Sequence, residues 1–143
     1  MSQGPDAVGS AATGRQLVPA RTPWSRMLAY SRAVRVGHQV FVAGTLPVDA
    51  EGQLVGGDDA HLQACQVLRL IVSALAEAGA SPADVVRLRI SLRDHADLPA
   101  IAAAQFAVFE HVRPACTVVQ SQLAGGRYRV QMEADAVLPM PTQ

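Results

Sequence analysis

Apolar residues along the chain follow first the period of a strand and then the period of a helix. Residues 32–36 alternate in polarity, Gly37-His38 marks a turn, and residues 39–44 form a nearly continuous apolar run. This pattern predicts a hairpin whose second strand is buried on both faces. From Asp58 or Asp59 to Gly79, apolar residues recur at steps of three and four. The second pattern predicts a capped helix that ends at a glycine, with an apolar stripe formed by Leu62, Cys65, Leu68, Ile71, Val72 and Leu75.

The second half of the chain repeats the order of strand and helix. Residues 85–92 predict a half-buried strand with one apolar face, formed by Val86, Leu88, Ile90 and Leu92. Asp97 predicts the cap of a second helix that ends before Pro114, with an apolar side formed by Leu98, Ile101, Phe106 and Phe109. Two β-rich segments, residues 116–123 and 128–138, complete the chain. This order predicts an α+β fold in which a mixed β-sheet has two helices packed on one face.

The last predicted strand has one apolar face and one polar face. The polar face carries Arg129, Gln131, Glu133 and Asp135, and the two helices cover only the apolar face. The chain has 143 residues, of which 50% are hydrophobic and only 17% are charged, which is a low charged fraction for a small monomer. We therefore expect other subunits to cover the polar face, with its polar residues lining clefts.

The first residues of the chain differ in composition from the rest. Residues 1–23 are rich in Gly, Ala, Ser and Pro and show neither period, which predicts a flexible N-terminal tail before a single domain over residues 24–143. No run reaches the length of about 18 apolar residues that a membrane span needs. Cys65 and Cys116 fit free thiols in a reducing compartment. We expect a cytoplasmic protein that binds no membrane.

The charge of the chain excludes some classes of function. The 12 Lys+Arg residues balance 12 Asp+Glu residues, which argues against a nucleic acid or an acidic membrane as partner. All of these basic residues are Arg, so Schiff-base chemistry at a lysine is excluded. The four histidines lie near turns, loops and helix ends without metal-ligand spacing. No metal site is predicted.

Several short segments, in this order, resemble the RidA or YjgF family of reactive-intermediate deaminases, also known as endoribonuclease L-PSP. They are Gln63 and residues 30–34, 40–45, 78–81, 84–86, 113–115 and 133–136. The resemblance implies a chorismate-mutase-like subunit, a homotrimer with active sites between adjacent subunits, a small-molecule ligand, and neither a metal nor an organic cofactor. The neutral charge argues against the RNA cleavage that the older name suggests.

The family pattern also implies which residues line the ligand pocket. Tyr30, Gly44 and Thr45 stand where the pattern expects them. Four other positions differ from typical members, in which a Ser, an Asn, a carboxylate-binding Arg and a Glu stand at the positions of Ala43, Ala102, Cys116 and Gln131. Thr117 is a further candidate for ligand binding, and Cys116, Gln131 and Glu133 are the catalytic candidates.

These four differences predict a smaller, neutral and more apolar pocket. A free carboxylate is poorly stabilised in such a pocket, because a buried charge without a partner is costly. We therefore expect slow or absent hydrolysis of 2-imino acids, unless Arg129 or Arg32 has taken over carboxylate binding. The reaction that typical members catalyse is thus in question for this chain.

Structural roles compete with the catalytic ones at each candidate. Cys116 is either a nucleophile or a small buried filler. Gln131 and Glu133 either orient a ligand or bond between subunits, and Tyr30 either donates a proton or lines the cleft with its ring.

Two functions are compatible with these candidate residues. The first is an enzyme that acts on a small imine, enamine or other tautomerisable intermediate, in a specialised biosynthetic pathway. The second is a non-catalytic small-molecule-binding or interaction trimer that has lost deaminase activity.

Overall fold

The computed structural model describes residues 14–140, and over them it confirms the predicted α+β fold. Six strands form one mixed sheet in the order β1-β2-β3-β6-β4-β5, in which β4 and β5 pair in parallel and the other neighbours are antiparallel. In chain order the elements are β1 (Arg15–Val18), α1 (Pro23–Leu28), β2 (Ala33–Val36), β3 (Gln39–Thr45), α2 (Ala60–Glu77), β4 (Val85–Leu92), α3 (Leu98–Phe109), β5 (Ala115–Gln120) and β6 (Val130–Val137). Single 3₁₀ turns, Pro82–Asp84 and His95–Asp97, precede β4 and α3.

The core lies between one face of the sheet and the two long helices. Val40, Met132 and Leu88 come from the three central strands and are fully buried, and Ile71 of α2 and Ile101 of α3 lie in the same core. Alternate residues of β3, β4 and β6 point away from the helices. We call this opposite side the open face of the sheet.

Helix α2 begins and ends as predicted, but its buried stripe is displaced. Asp59 is the cap, and its side chain accepts a hydrogen bond from Leu62 N at 3.1 Å. The prediction that Leu62 and Cys65 belong to the buried stripe is wrong, because both are exposed. Gln63 and Ala64 are buried in their place. Gln63 can be buried because its amide bonds backbone groups of Gly57, Arg127 and Arg129 at 2.7, 3.1 and 2.7 Å.

Two further predictions of buried residues are wrong. The pairing of β4 with β6 shifts register between Val85 and Arg87, so Val85 is buried and Val86 turns outward. On α3, Phe106 is exposed, while Ala104 lies on the buried side. Helix α3 thus buries the small Ala104 and leaves the larger Phe106 ring at the surface.

The predicted tail is wrong over part of its length. Residues 15–18 form β1, which pairs antiparallel with β2, and Val18 is buried in the core. Gln16 Nε2 also donates to the carbonyl oxygen of Glu77 at 2.9 Å. Residues 1–13 of the predicted tail lie outside the described residues. None of the helices within residues 14–140 is long and apolar enough to cross a membrane.

Candidate functional site

Four of the predicted site residues line one cavity of about 500 Å³. Tyr30 stands after α1, Ala43 and Gly44 lie on β3, and Gln131 lies on β6. We call this cavity the Tyr30 pocket, and its other walls are formed by Trp24, Leu28, Arg32, Leu46, Ala124 and Tyr128.

A close approach between β3 and β6 forms one side of the Tyr30 pocket. The pairing of these strands is irregular between Val42 and Thr45, and Gly44 lies within the irregularity. A Cβ atom at position 44 would lie 2.8 Å from Gln131 Nε2. Glycine therefore leaves room for the Gln131 amide, which lies beside the cavity.

Tyr30 combines an aromatic wall with a hydroxyl group. Its hydroxyl shares a hydrogen bond with Thr22 Oγ1 at 3.2 Å, and Thr22 is buried. The turn that places Tyr30 contains Ala29 in the left-handed conformation, and Tyr30 N donates to Ser25 O at 3.3 Å. The phenol is thus held at the cavity wall and can both pack against a ligand and exchange a proton with it.

Arg32 is a charged residue in the wall of the Tyr30 pocket. Its side chain is buried, and Nη1 donates to Thr45 Oγ1 at 3.1 Å. Burial lowers the pKa of Arg32 from its ordinary value, while the nearby Tyr30 acts in the opposite direction. The expected neutral pocket is therefore wrong at this wall. Thr45 itself is fully buried and supports Arg32 from behind instead of lining the cavity.

Cys116 and Ala102 line a second cavity, of about 330 Å³, between α3 and β5. We call it the Cys116 groove, and its other walls include Gln105, Phe106, Glu110, Arg113 and Val118. Cys116 is exposed in the single subunit, so within one subunit its alternative role as a buried filler is wrong. Gln105 Nε2 donates to Cys116 Sγ at 3.6 Å, and Gln105 Oε1 is buried without a hydrogen-bond partner. Gln105 is not among the residues predicted from the sequence, although it stands one helical turn after Ala102 on the same side.

The two cavities lie on different sides of the sheet. Cys116 pairs with Leu88 and so shares the helix-covered face, whereas Gln131 pairs with Ser91 on the open face. Thr117 points to the opposite face from Cys116 and lines neither cavity. Within one chain, the structure therefore brings the predicted site residues together as two separate groups.

Glu133 belongs to an ion-pair network on the open face. Its carboxylate accepts a hydrogen bond from Arg89 Nη1 at 2.7 Å, and Arg89 also lies 3.6 Å from Asp135. Glu133 lines neither the Tyr30 pocket nor the Cys116 groove. The partner of Glu133 within the chain is thus Arg89, whereas its two predicted roles, orienting a ligand and bonding between subunits, remain predictions. Among residues 14–140, no three or more His, Cys, Asp and Glu side chains are grouped so that they could hold a metal ion.

Comparison with known proteins identifies the family. Residues 23–138 match the family described as Endoribonuclease L-PSP. The chain belongs to this RidA/YjgF family. A RutC family protein of Pyrococcus abyssi is 36% identical over 108 residues, which are 75% of this chain and 84% of that protein. The 3-aminoacrylate deaminase RutC of Acinetobacter baylyi is 38% identical over 104 residues, which are 73% of this chain and 82% of that protein.

The fold of the RidA/YjgF family is also found among solved structures. A crystal structure of a YjgF/YER057c/UK114 family member from Mycobacterium tuberculosis superposes with a TM-score of 0.79 and is 35% identical. The match covers 87% of this chain and 99% of the other. Members of the family are enamine and imine deaminases, and the two cavities are therefore the places to seek that chemistry.

Proposed function

We propose that the chain hydrolyses a small imine or enamine in a cleft between subunits of a homotrimer. The cleft forms where the Tyr30 pocket of one subunit meets the Cys116 groove of the next. The division of the site residues carries this proposal, because Gln131 and Cys116 lie on different faces of the same sheet. A single ligand contacts both groups only if they come from two chains.

The exposed strand β5 supports assembly. All six of its residues are exposed, and Val118 and Val119 are 40% and 49% accessible. One edge of β5 pairs with β4, and the other edge is free of strand partners within the described chain. An apolar edge strand of this kind is usually covered, because it otherwise promotes aggregation. A second subunit over β5 buries these valines and brings the Cys116 groove to an interface.

The proposed reaction is addition of water to a C=N bond. Water attacks the carbon and gives a carbinolamine, which then loses ammonia and leaves a carbonyl group; an enamine first takes a proton on carbon to form the imine. The Gln131 amide orients the water, and the Tyr30 hydroxyl transfers a proton to or from the ligand. An amide cannot act as a general base, so most of the rate acceleration comes from positioning of the water and the ligand.

The residues of the Cys116 groove limit the range of substrates that the cleft accepts. Cys116 follows Pro114-Ala115, where typical family members carry the arginine that binds the carboxylate of a 2-imino acid. Around Cys116 the groove is largely apolar, with Phe106 and Val118 in its walls. We propose that the usual 2-imino acids are poor substrates in the usual orientation, and that the natural substrate comes from a specialised biosynthetic pathway. The relative named for 3-aminoacrylate, an enamine, supports an enamine or imine.

A second candidate function is ligand binding without turnover. It is favoured by the lining of the Tyr30 pocket, in which the described residues include no carboxylate and no imidazole that could activate water. In this case the trimer retains its cleft and its ligand but has lost the hydrolytic step.

Trapping of imines with semicarbazide separates the two functions. An amine oxidase or amino-acid oxidase generates imines in situ, and hydrolysis by the protein reduces formation of the semicarbazone. We expect the wild type to compete with trapping for at least one small imine, and Tyr30→Phe to compete less. Trapping that is unchanged by the protein for all imines, together with ligand binding in the cleft, would instead support the second function.

A further inference from the structure

Within the described part of the chain, Arg32 is a buried cation without an anion beside it. Only 7% of the residue is exposed, and Thr45 Oγ1 is the partner of its guanidinium. Among residues 14–140, no carboxylate lies within ion-pairing distance of Arg32. Buried charges in proteins are usually paired, because an isolated one loses its hydration without compensation. A buried guanidinium in a cavity wall therefore needs an anion from elsewhere.

Two acidic side chains share a cavity wall with Arg32 but are engaged with other groups. This third cavity, of about 230 Å³, is lined by Arg32, Asp49 and Glu77 among others. Asp49 Oδ1 accepts hydrogen bonds from the backbone N–H groups of Glu51 and Gln53, each at 2.9 Å. Glu77 is ion-paired with Arg21 at 3.2 Å. Neither carboxylate is free to move to Arg32 without breaking these contacts.

Arg129, which is also predicted from the sequence as a possible carboxylate-binding residue, has its own partner. Its Nη1 lies 3.1 Å from Asp97 Oδ2, and both side chains are largely buried. Arg129 does not line the Tyr30 pocket. The structure thus favours Arg32 over Arg129 as the cation available to a ligand.

We propose that Arg32 binds the carboxylate of a small organic acid in the Tyr30 pocket. The proposal deepens the proposed function, on which the identity of this pocket as the ligand site rests. The carboxylate is held at the β2 and β3 side of the cleft, and not at Cys116. Thr45 fixes the guanidinium from behind, and Thr45 Oγ1 in turn donates to Ala43 O at 2.8 Å. A guanidinium held in this way retains its remaining N–H donors for the anion.

A matched pair of inert ligands tests this proposal without turnover. Propionate and propionamide have nearly the same shape and differ in charge. In NMR titrations of the full chain, we expect the wild type to bind propionate about tenfold more tightly than propionamide, as a charge-assisted hydrogen bond predicts. Arg32→Met should remove this preference and leave the affinity for propionamide nearly unchanged.

Two further variants test whether an effect of Arg32→Met comes from lost anion binding or from lost folding. Arg35→Met is the control, since Arg35 lies on β2, which begins directly after Arg32, donates to Ala78 O at 2.8 Å and does not line the pocket; it should retain the preference for propionate. Arg32→Lys retains the charge and should show a smaller preference in the same direction.

The result that overturns the proposal is specific. Equal affinities of the wild type for the two ligands would show that Arg32 already has an anion, such as an acidic side chain of a neighbouring copy. A full preference for propionate in Arg32→Met would assign the carboxylate to another residue. The proposed deamination can fail while the propionate preference holds, so the two failures are distinguishable.

Discussion

Gly44 and Gln131 approach each other so closely that a side chain at position 44 would displace the Gln131 amide. A Cβ atom on Gly44 would lie 2.8 Å from Nε2 and 3.2 Å from Cδ of the Gln131 side chain. The two residues come from neighbouring strands that are irregularly paired at this point. The position of the Gln131 amide in the Tyr30 pocket therefore depends on the glycine.

Gly44→Ala should move the Gln131 amide while leaving the fold intact. The clash involves the far end of a flexible side chain, so we expect little change in melting temperature. Displacement of a group that orients water should lower the rate of imine hydrolysis by about tenfold or more. Steady-state trapping assays and thermal melts measure the two effects. A normal rate in a normally folded variant would show that Gln131 does not position the reacting water.

Restoring charged groups at two positions should restore hydrolysis of 2-imino acids. Cys116→Arg supplies a guanidinium and Gln131→Glu supplies a carboxylate that can act as a base. We expect the double variant to hydrolyse such acids at least about tenfold faster than the wild type, since a general base typically contributes more than that. Glu133→Gln is the control, because Glu133 pairs with Arg89 outside both cavities. Rapid hydrolysis of 2-imino acids by the wild type would show that the missing groups at positions 116 and 131 are not needed, because another arginine such as Arg32 already binds the carboxylate productively.

A charge on the exposed strand β5 should prevent assembly. The mass of the chain is 15.0 kDa, so a trimer has a mass of about 45 kDa. Val119→Arg should give monomers in light scattering coupled to size exclusion. Val36→Arg is a matched control, because Val36 is 45% exposed on β2, far from β5 in the strand order. A monomeric wild type at micromolar concentration would refute the homotrimer.

Removal of β1 should destabilise the domain. Val18 is buried and β1 pairs with β2, so deletion of residues 1–18 should cost about 1–3 kcal/mol and lower the melting temperature by several degrees. Deletion of residues 1–13 is the control, and its Gly- and Ser-rich composition predicts little effect. Equal melting temperatures for the two deletions would show that β1 contributes nothing measurable.

The periodic elements could be predicted from the sequence, because their apolar spacing reports directly on burial. The hairpin of β2 and β3, the cap at Asp59 and the polar face of β6 follow from local patterns. The prediction that β3 is buried on both faces is wrong, because buried and exposed residues alternate over residues 39–42 and Phe41 is exposed. Exceptions arise where three-dimensional packing overrides the pattern. The bulge in β4 exchanges Val85 and Val86, and β1 has only four residues in a segment rich in Pro and Gly, which is too short for a period to be recognised.

The candidate site was less predictable, because it depends on which face of the sheet each residue occupies. The family pattern placed Cys116 and Gln131 in one pocket, while the strand register of a single chain puts them on opposite faces. The partners of Arg32 and Arg129 also could not be read from the sequence. Only the structure shows that Arg129 pairs with Asp97, whereas the guanidinium of Arg32 has the Thr45 hydroxyl and no carboxylate as its partner among the described residues.

Mixing of two blocked variants tests most directly whether hydrolysis takes place in a cleft shared by two subunits. Ala43→Trp fills the Tyr30 pocket and Ala102→Trp fills the Cys116 groove, so each homotrimer should be inactive in the imine trapping assay. In mixed trimers formed at equal amounts, an interface with both halves intact arises by chance in about one case of four. We expect recovery of roughly a quarter of the wild-type rate, since symmetry gives each interface the same two surfaces. Mixed trimers that are verified by native mass spectrometry and remain inactive would contradict a shared cleft.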